Sequence, residues 1–131
     1  MWFFGRRKKK KEFDPEADQF LDLAPDRGGC LGSKRAIRDG FGVSYIFRSA
    51  SSTKFKDSGW WFCHGTEDEE YMSDASNFEI FDVNTIANFR PEIIPHLNEP
   101  IGAAFYWDGE KFVPDPLGAP EELPEPSDTR H

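Results

Sequence analysis

The feature that most constrains the fold is an aromatic strand pattern that is followed at once by a row of acidic residues. Residues 59–64 read Gly-Trp-Trp-Phe-Cys-His. Side chains alternate along a strand, so two sets are expected on opposite faces of a sheet, Trp60, Phe62 and His64 against Trp61 and Cys63. The pattern predicts a rigid strand that serves as scaffold.

An acidic segment follows that strand. Seven carboxylates come after it, namely Glu67, Asp68, Glu69, Glu70, Asp74, Glu79 and Asp82. No lysine or arginine occurs between Asp57 and Phe89. The segment therefore predicts an acidic surface, and residues 67–74 are expected to form an exposed loop that carries the function.

A second strand is predicted before the aromatic one. Residues 43–48 alternate with a period of two, which sends Val43, Tyr45 and Phe47 to one face of the sheet. A loop rich in serine and threonine separates them from residues 59–64. We expect the two strands to pair as an antiparallel hairpin.

Another hairpin is predicted near the end of the chain. Residues 101–107 show an extended apolar pattern that meets Asp108-Gly109, a favoured two-residue turn, and residues 110–113 return from it. Two shorter stretches, 30–32 and 77–81, also have the composition of strands.

Helices are expected to be short. Asp82 is a suitable N-cap for a helix over residues 83–88, and Pro91 suits the first position of a further helical turn. The pair Asp14-Pro15 predicts another short helix that runs to about Leu23.

These patterns predict an α+β fold, with a small single domain and a mainly antiparallel sheet of about 4–5 strands with two or three short helices. Residues 1–28 are assigned to a basic tail and a short acidic helix, residues 29–113 to the compact domain, and residues 114–131 to a proline-rich acidic tail. The last segment holds too few apolar residues to offset the entropy lost on ordering, so it is expected to be extended or disordered.

Charge is divided unevenly along the chain. Residues 6–11 supply six of the 16 basic residues, which leaves 10 basic against 24 acidic residues, or −14, for residues 12–131. A field of that sign disfavours nucleic acid, whose phosphates need a basic partner, and favours a cationic protein. For residues 1–11, contact with an anionic membrane is an alternative to a solvated basic tail.

No motif indicates catalysis. Neighbours on a strand point to opposite faces, so Cys63 and His64 are not expected to act as nucleophile and base. Residues 40–42 read Gly-Phe-Gly, but they lack both the longer glycine pattern and the Gly-Lys-Ser/Thr ending of a phosphate loop. We expect no enzyme activity, and a small hydrolase built on two carboxylates or a metal-dependent enzyme is the alternative.

Metal and redox sites are not indicated either. The cysteines and histidines lack the paired spacing of zinc ligands, and the acidic run lacks the glycine of a calcium loop. With only Cys30 and Cys63 and no signal-peptide pattern, reduced thiols and a cytoplasmic location are expected. The sequence therefore predicts neither a metal nor a cofactor.

An ordered series of short motifs carries a family resemblance. The motifs are Ser33-Lys34-Arg35, Tyr45-Ile46-Phe47-Arg48, Asp57-Ser58-Gly59-Trp60, Gly65 with Glu67-Asp68-Glu69-Glu70-Tyr71-Met72, Asn77, Asp82-Val83-Asn84-Thr85-Ile86, Pro91-Glu92-Ile93-Ile94-Pro95 and Pro100-Ile101-Gly102. Over about residues 29–113 the chain resembles the type 33 immunity-protein family of bacterial polymorphic toxin systems. The resemblance implies an α+β cytoplasmic protein without catalytic residues that binds and neutralises a cognate toxin.

The acidic segment and the resemblance lead to one hypothesis about the site. Its carboxylates are expected to face a basic surface on the toxin, and its tyrosine and methionine are expected to act as apolar anchors within that charged rim. The predicted partner-binding residues are Glu67, Asp68, Glu69, Glu70, Tyr71, Met72 and Asp74.

Overall fold

Six strands form one open sheet in the computed structural model, which describes residues 20–50 and 57–120. The strands are β1 (Gly29–Ser33), β2 (Tyr45–Arg48), β3 (Asp57–Cys63), β4 (Phe78–Asp82), β5 (Ala104–Trp107) and β6 (Phe112–Pro114). Their order across the sheet is β4-β1-β3-β2-β5-β6. Strands β1 and β3 run parallel and the other neighbours antiparallel. The α+β fold class is confirmed, with a mixed sheet that is larger than the sequence predicts.

Short helices connect these strands. They are α1 (Lys34–Ile37), α2 (Glu69–Met72) and α3 (Val83–Phe89), together with 3-10 segments at Ala75–Asn77 and Pro91–His96. Helices α1 and α2 are not predicted from the sequence, because a single turn is too short to show an apolar period of 3.6 residues.

The helical predictions after β4 are confirmed, and the one before β1 is not. Asp82 caps α3 by accepting a hydrogen bond from the Asn84 N–H at 2.9 Å, and Pro91 opens the following 3-10 segment. Residues 20–23, by contrast, are not helical, so the helix predicted to reach Leu23 is wrong in its described part.

The sheet buries aromatic side chains on both of its faces. Trp60 and Phe62 belong to a large cluster to which α3 and the Pro91–His96 segment contribute. On the opposite face Trp61 stacks on Phe47, with 5.4 Å between the ring centroids. The alternation predicted for residues 60–63 is thus confirmed, whereas His64 lies beyond the strand, which ends at Cys63. The strand contributes to both core clusters.

The alternation predicted for β2 holds only in part. Tyr45 and Phe47 lie on the same face, but Val43 joins the cluster of Ile46 on the other face. The prediction for Val43 is wrong because β2 begins only at Tyr45, so the regular alternation does not extend back to residue 43.

Both predicted hairpins are present, but one turn differs. Strand β2 pairs antiparallel with β3, and β5 pairs antiparallel with β6. Trp107 pairs with Phe112, so residues 108–111 join the last two strands instead of a two-residue turn. The Asp108 carboxylate closes this longer loop by accepting two backbone hydrogen bonds, at 2.8 and 3.0 Å.

Residues before β1 contact α3 through two asparagines. Asn84 Oδ1 accepts from the N–H groups of Leu23 and Ala24 at 2.9 and 2.8 Å, and Asn88 Oδ1 accepts from the Leu21 N–H at 2.9 Å. The described packing therefore begins upstream of β1.

The chain after β6 is also held to the sheet. The Asp115 N–H donates to the Ala104 carbonyl at 2.8 Å, and the Ala119 N–H donates to the Gly102 carbonyl at 3.0 Å. Residues 1–19 and 121–131, which include the candidate membrane contact and most of the predicted acidic tail, lie outside the described residues. Among the residues that are described, no helix is long and apolar enough to cross a bilayer.

Strand β3 contains a bulge that places a glycine against the backbone of Ser49, the residue that follows β2. Between two of its pairs with β1, β3 advances by four residues where β1 advances by two. Gly59 lies in this bulge with φ of +87°, and a Cβ added there would overlap the carbonyl oxygen of Ser49. The close approach and the positive φ both require glycine at this position.

We expect Gly59→Ala to lower the free energy of unfolding by at least about 2 kcal/mol, because strain in φ and a clash with backbone act together. The matched control is Gly40→Ala, since Gly40 has φ of +83° but nothing lies within 4 Å of an added Cβ. Gly40→Ala should lower the free energy of unfolding by only about 1 kcal/mol, the cost of holding a residue with a Cβ at positive φ. Urea unfolding of both variants measures the difference, and equal losses would contradict the steric role of Ser49.

Candidate functional site

The acidic segment lies at the end of the sheet where β1 and β3 both finish. Because these two strands run parallel and are neighbours, the start of α1 after β1 and the loop after β3 are brought to the same place. Residues 64–77 cross this end of the sheet and lead through α2 into β4. The predicted site is thus built from two distant parts of the sequence.

Glu67 joins these two parts. Its Oε2 accepts hydrogen bonds from Ser33 Oγ at 2.6 Å and from the His64 N–H at 2.8 Å, and its Oε1 accepts from the Gly65 N–H at 2.8 Å. Ser33 is fully buried, and its Oγ also accepts from the Ala36 N–H at 3.0 Å as the N-cap of α1. One carboxylate therefore fixes both the start of α1 and the turn after β3.

Those hydrogen bonds keep Glu67 ionised. Partial burial by itself raises the pKa of Glu67, but the hydrogen bonds from Ser33 and from the backbone of His64 and Gly65 outweigh that effect and hold the pKa below its usual value. The ionised carboxylate is half-buried and engaged within the protein, which gives it a structural role.

Asp68 and Asp74 act as helix caps. The Asp68 carboxylate accepts from the Tyr71 N–H at 2.8 Å at the start of α2. Asp74 Oδ1 accepts from the Ser76 hydroxyl at 2.7 Å and from the Ser76 N–H at 3.0 Å, and these bonds lower the pKa of Asp74. Both side chains are exposed, so they shape the segment and still present negative charge to solvent.

Tyr71 and Met72 turn toward the sheet. The Tyr71 hydroxyl accepts a hydrogen bond from the Arg35 N–H at 2.9 Å, and its ring packs edge-on against Phe78 with 6.0 Å between centroids. Met72 packs against the same cluster, which contains Phe78 and Trp61. Both residues are half-buried, and the contacts that they make hold α2 on the sheet.

Glu69 and Glu70 differ from the other carboxylates of the segment. Both lie in the first turn of α2 and are exposed. Within the described residues, neither side chain has a hydrogen bond or an ion pair to another residue. Among the carboxylates of residues 67–74, these two are exposed and have side-chain oxygens that accept no hydrogen bond from another described residue.

Cations from α1 lie beside the acidic segment, although the segment itself contains none. Arg35 Nη1 donates to the Thr66 carbonyl at 2.8 Å, and the guanidinium lies 4.6 Å from the centre of the Tyr71 ring. Arg38 forms a two-point ion pair with Glu79, at 2.7 and 2.8 Å, and this contact lowers the pKa of Glu79. Basic side chains therefore lie next to the acidic segment, and the acidic residues Glu69 and Glu70 lie in α2.

Other chemistry-bearing side chains do not converge on this site. Cys30 and Cys63 are free thiols that are buried in different clusters, and burial raises the pKa of both. Across residues 20–50 and 57–120, no group of three or more histidine, cysteine or acidic side chains could hold a metal ion.

Sequence reasoning missed Arg35 and Phe41 as residues of this end of the sheet. Arg35 contacts both Thr66 and Tyr71, while the exposed ring of Phe41 packs on His64 with 5.2 Å between centroids. Their position depends on the parallel pairing of β1 with β3, and the sequence carries no local signal of that pairing.

We expect Glu67→Gln to lower the free energy of unfolding at pH 7 by about 1–3 kcal/mol, because an amide accepts fewer hydrogen bonds from the three donors around it. The pKa of Glu67 is lower in the folded state than usual. The ionised carboxylate therefore contributes fully to the free energy of unfolding above the unfolded pKa of about 4.3, and this contribution is lost as the pH falls through the folded pKa. The stability gap between wild type and Glu67→Gln should therefore narrow in acid.

Urea unfolding at several pH values between 7 and 3 measures that gap. The matched control is Glu69→Gln, which removes an exposed carboxylate that has no hydrogen bond from another described residue, and it should leave the free energy of unfolding nearly unchanged. A gap between wild type and Glu67→Gln that stays constant with pH would contradict the structural role of the ionised carboxylate.

Comparison with protein families identifies the domain. The model of the immunity protein Imm33 domain matches residues 30–113, which is more than half of the chain. Neither a comparison with curated proteins nor one with solved structures gives a match. The matched range runs from β1 to β6 and includes the whole acidic segment. The chain belongs to the Imm33 immunity protein domain family.

Proposed function

We propose that this chain is an immunity protein that neutralises its cognate toxin by binding it, without catalysis, through the acidic end of the sheet. Membership of the Imm33 family supports the immunity role and implies a toxin partner. We choose this surface because of Glu69 and Glu70. They are adjacent and exposed, and their side chains contact no cation among the described residues.

Electrostatics makes a basic toxin surface the best match for this pair. Residues 12–131 carry 10 basic and 24 acidic residues, a sum of −14, so this part of the chain attracts a cationic protein at long range. At short range, neighbouring carboxylates of like charge repel one another, and a cation placed between them relieves that repulsion. We therefore propose that the toxin presents lysine or arginine side chains to α2.

The remaining carboxylates of the segment have a supporting role in this proposal. Glu67, Asp68 and Asp74 hold the loop and the helix starts in place through hydrogen bonds to backbone N–H groups. A site that is held rigid before binding loses less conformational entropy on association. Glu69 and Glu70 are then the charges that contact the toxin, and we propose that the complex forms in the cytoplasm.

The test begins with the partner itself. A tagged chain is purified from the native cells, and the protein that copurifies in stoichiometric amount is taken as the toxin. Binding of this toxin is then measured as a function of salt. No stoichiometric protein partner would count against the immunity role of this chain.

We expect the double change Glu69→Gln/Glu70→Gln to raise the Kd for the toxin by about 5- to 20-fold at low salt, mainly through slower association. The slope of affinity against salt concentration should also decrease, because fewer charges are screened. Surface plasmon resonance at several salt concentrations measures both effects.

A matched control removes the same number of charges elsewhere. Asp22 and Glu99 are exposed; Asp22 precedes β1, and the Glu99 carbonyl bonds to Arg48, at the end of β2 far from α2. Asp22→Asn/Glu99→Gln should change the Kd much less than the α2 double change. Equal effects of the two double changes would mean that net charge alone matters and that α2 is not the contact.

A further inference from the structure

The Gly-Phe-Gly sequence at residues 40–42 presents an exposed aromatic ring beside the acidic segment. Gly40 and Gly42 have φ of +83° and +92°, which side chains rarely adopt, and the chain turns off the end of α1 between them. The Gly42 N–H donates to the Ala36 carbonyl at 2.9 Å, which holds the turn against α1. Phe41 is 58% exposed, the most exposed phenylalanine, tyrosine or tryptophan among the described residues.

A continuous set of contacts connects Phe41 to α2. Its ring packs edge-on against His64, whose Nδ1 lies 2.9 Å from Thr66 Oγ1. Thr66 in turn accepts hydrogen bonds from Arg35, and the Arg35 guanidinium covers the ring of Tyr71 in α2. These contacts place Phe41 at the same end of the sheet as α2, which carries Glu69 and Glu70, with the Arg35 guanidinium between them.

We propose that Phe41 is the apolar anchor of the toxin-binding surface, inserted into a recess between the cations of a basic toxin; this inference rests on the proposed function. Interfaces of high affinity need a desolvated apolar centre inside a polar rim, and aromatic rings commonly supply it. The anchors predicted from the sequence, Tyr71 and Met72, already pack against the sheet. Phe41, by contrast, is exposed, and its ring packs on His64 at the start of the loop that leads into α2.

Charge decides which partner covers the ring. A second copy of this chain would bring together two molecules whose residues 12–131 each sum to −14. Like charges placed opposite one another oppose association. A cationic toxin meets the carboxylates favourably and can cover Phe41 at the same time.

The experiment measures binding of the copurified toxin to full-length variants of the chain. Phe41→Ala should raise the Kd roughly 10- to 30-fold, as expected for an anchor residue, mostly through faster dissociation. Its salt dependence should match that of wild type, because no charge is removed. Phe41→Leu should recover most of the affinity, since it restores an apolar side chain of similar reach.

The matched control is Leu117→Ala, which truncates a side chain that is 91% exposed in the turn beside Gly102, at the opposite end of β5 from residue 107. It should leave the Kd within about twofold of wild type, as for a residue outside the hot spot. Thermal unfolding of the Phe41 and Leu117 variants should resemble that of wild type, because both side chains lie largely in solvent.

The outcomes separate the anchor from the charged surface. If Phe41→Ala binds as wild type while Glu69→Gln/Glu70→Gln binds weakly, the anchor is overturned and the proposed function stands. If only Phe41→Ala weakens binding, the anchor stands and the acidic contact is overturned. A loss for Leu117→Ala as large as that for Phe41→Ala, a Phe41-dependent dimer in sedimentation, or the absence of any stoichiometric toxin would each overturn the anchor.

Discussion

The hydrogen bond between Ser33 Oγ and Glu67 Oε2, 2.6 Å long, is the contact on which this end of the molecule depends. It links the end of β1 to the loop after β3, and the same serine oxygen caps α1. Because the two strands are parallel neighbours, this contact and the hydrogen bond from the Arg35 N–H to the Tyr71 hydroxyl set where α1 lies relative to α2. The position of Arg35 over Tyr71, and of Phe41 beside His64, follows from that placement.

Most acidic residues of the segment accept hydrogen bonds from backbone N–H groups of the chain itself. A carboxylate that accepts N–H hydrogen bonds stabilises a turn and keeps its negative charge, so Asp68, Asp74 and Asp82 contribute to local structure and to the field alike. These three aspartates of the acidic run therefore act as N-caps of short helices. Glu69 and Glu70 are exposed and accept no hydrogen bond from another described residue, and the proposed surface combines this small acidic pair with an apolar contact.

Local patterns in the sequence predict those parts of the fold that depend on neighbours along the chain. The alternation in β3, the antiparallel hairpins and the Asp82 cap are of this kind, and all are present. Pairing between β1 and β3 is not local, and single turns such as α1 carry no period, so neither could be predicted. The contacts of Tyr71 with Arg35 and Phe78 could not be predicted for the same reason, because Arg35 follows β1, which is distant from Tyr71 in the sequence.

The two proposed contacts with the toxin would act at different stages of binding. Exposed charges act over distances comparable to the Debye length of about 8–10 Å and chiefly raise the rate of encounter. A ring such as Phe41 contributes only once water has left its surface, and so it slows dissociation. An inhibitor that must reach its toxin quickly and then remain bound needs both properties. In the proposed complex the Ser33–Glu67 contact would bring the two properties together, because it joins the loop that leads to α2 to the helix from which the Gly-Phe-Gly turn projects.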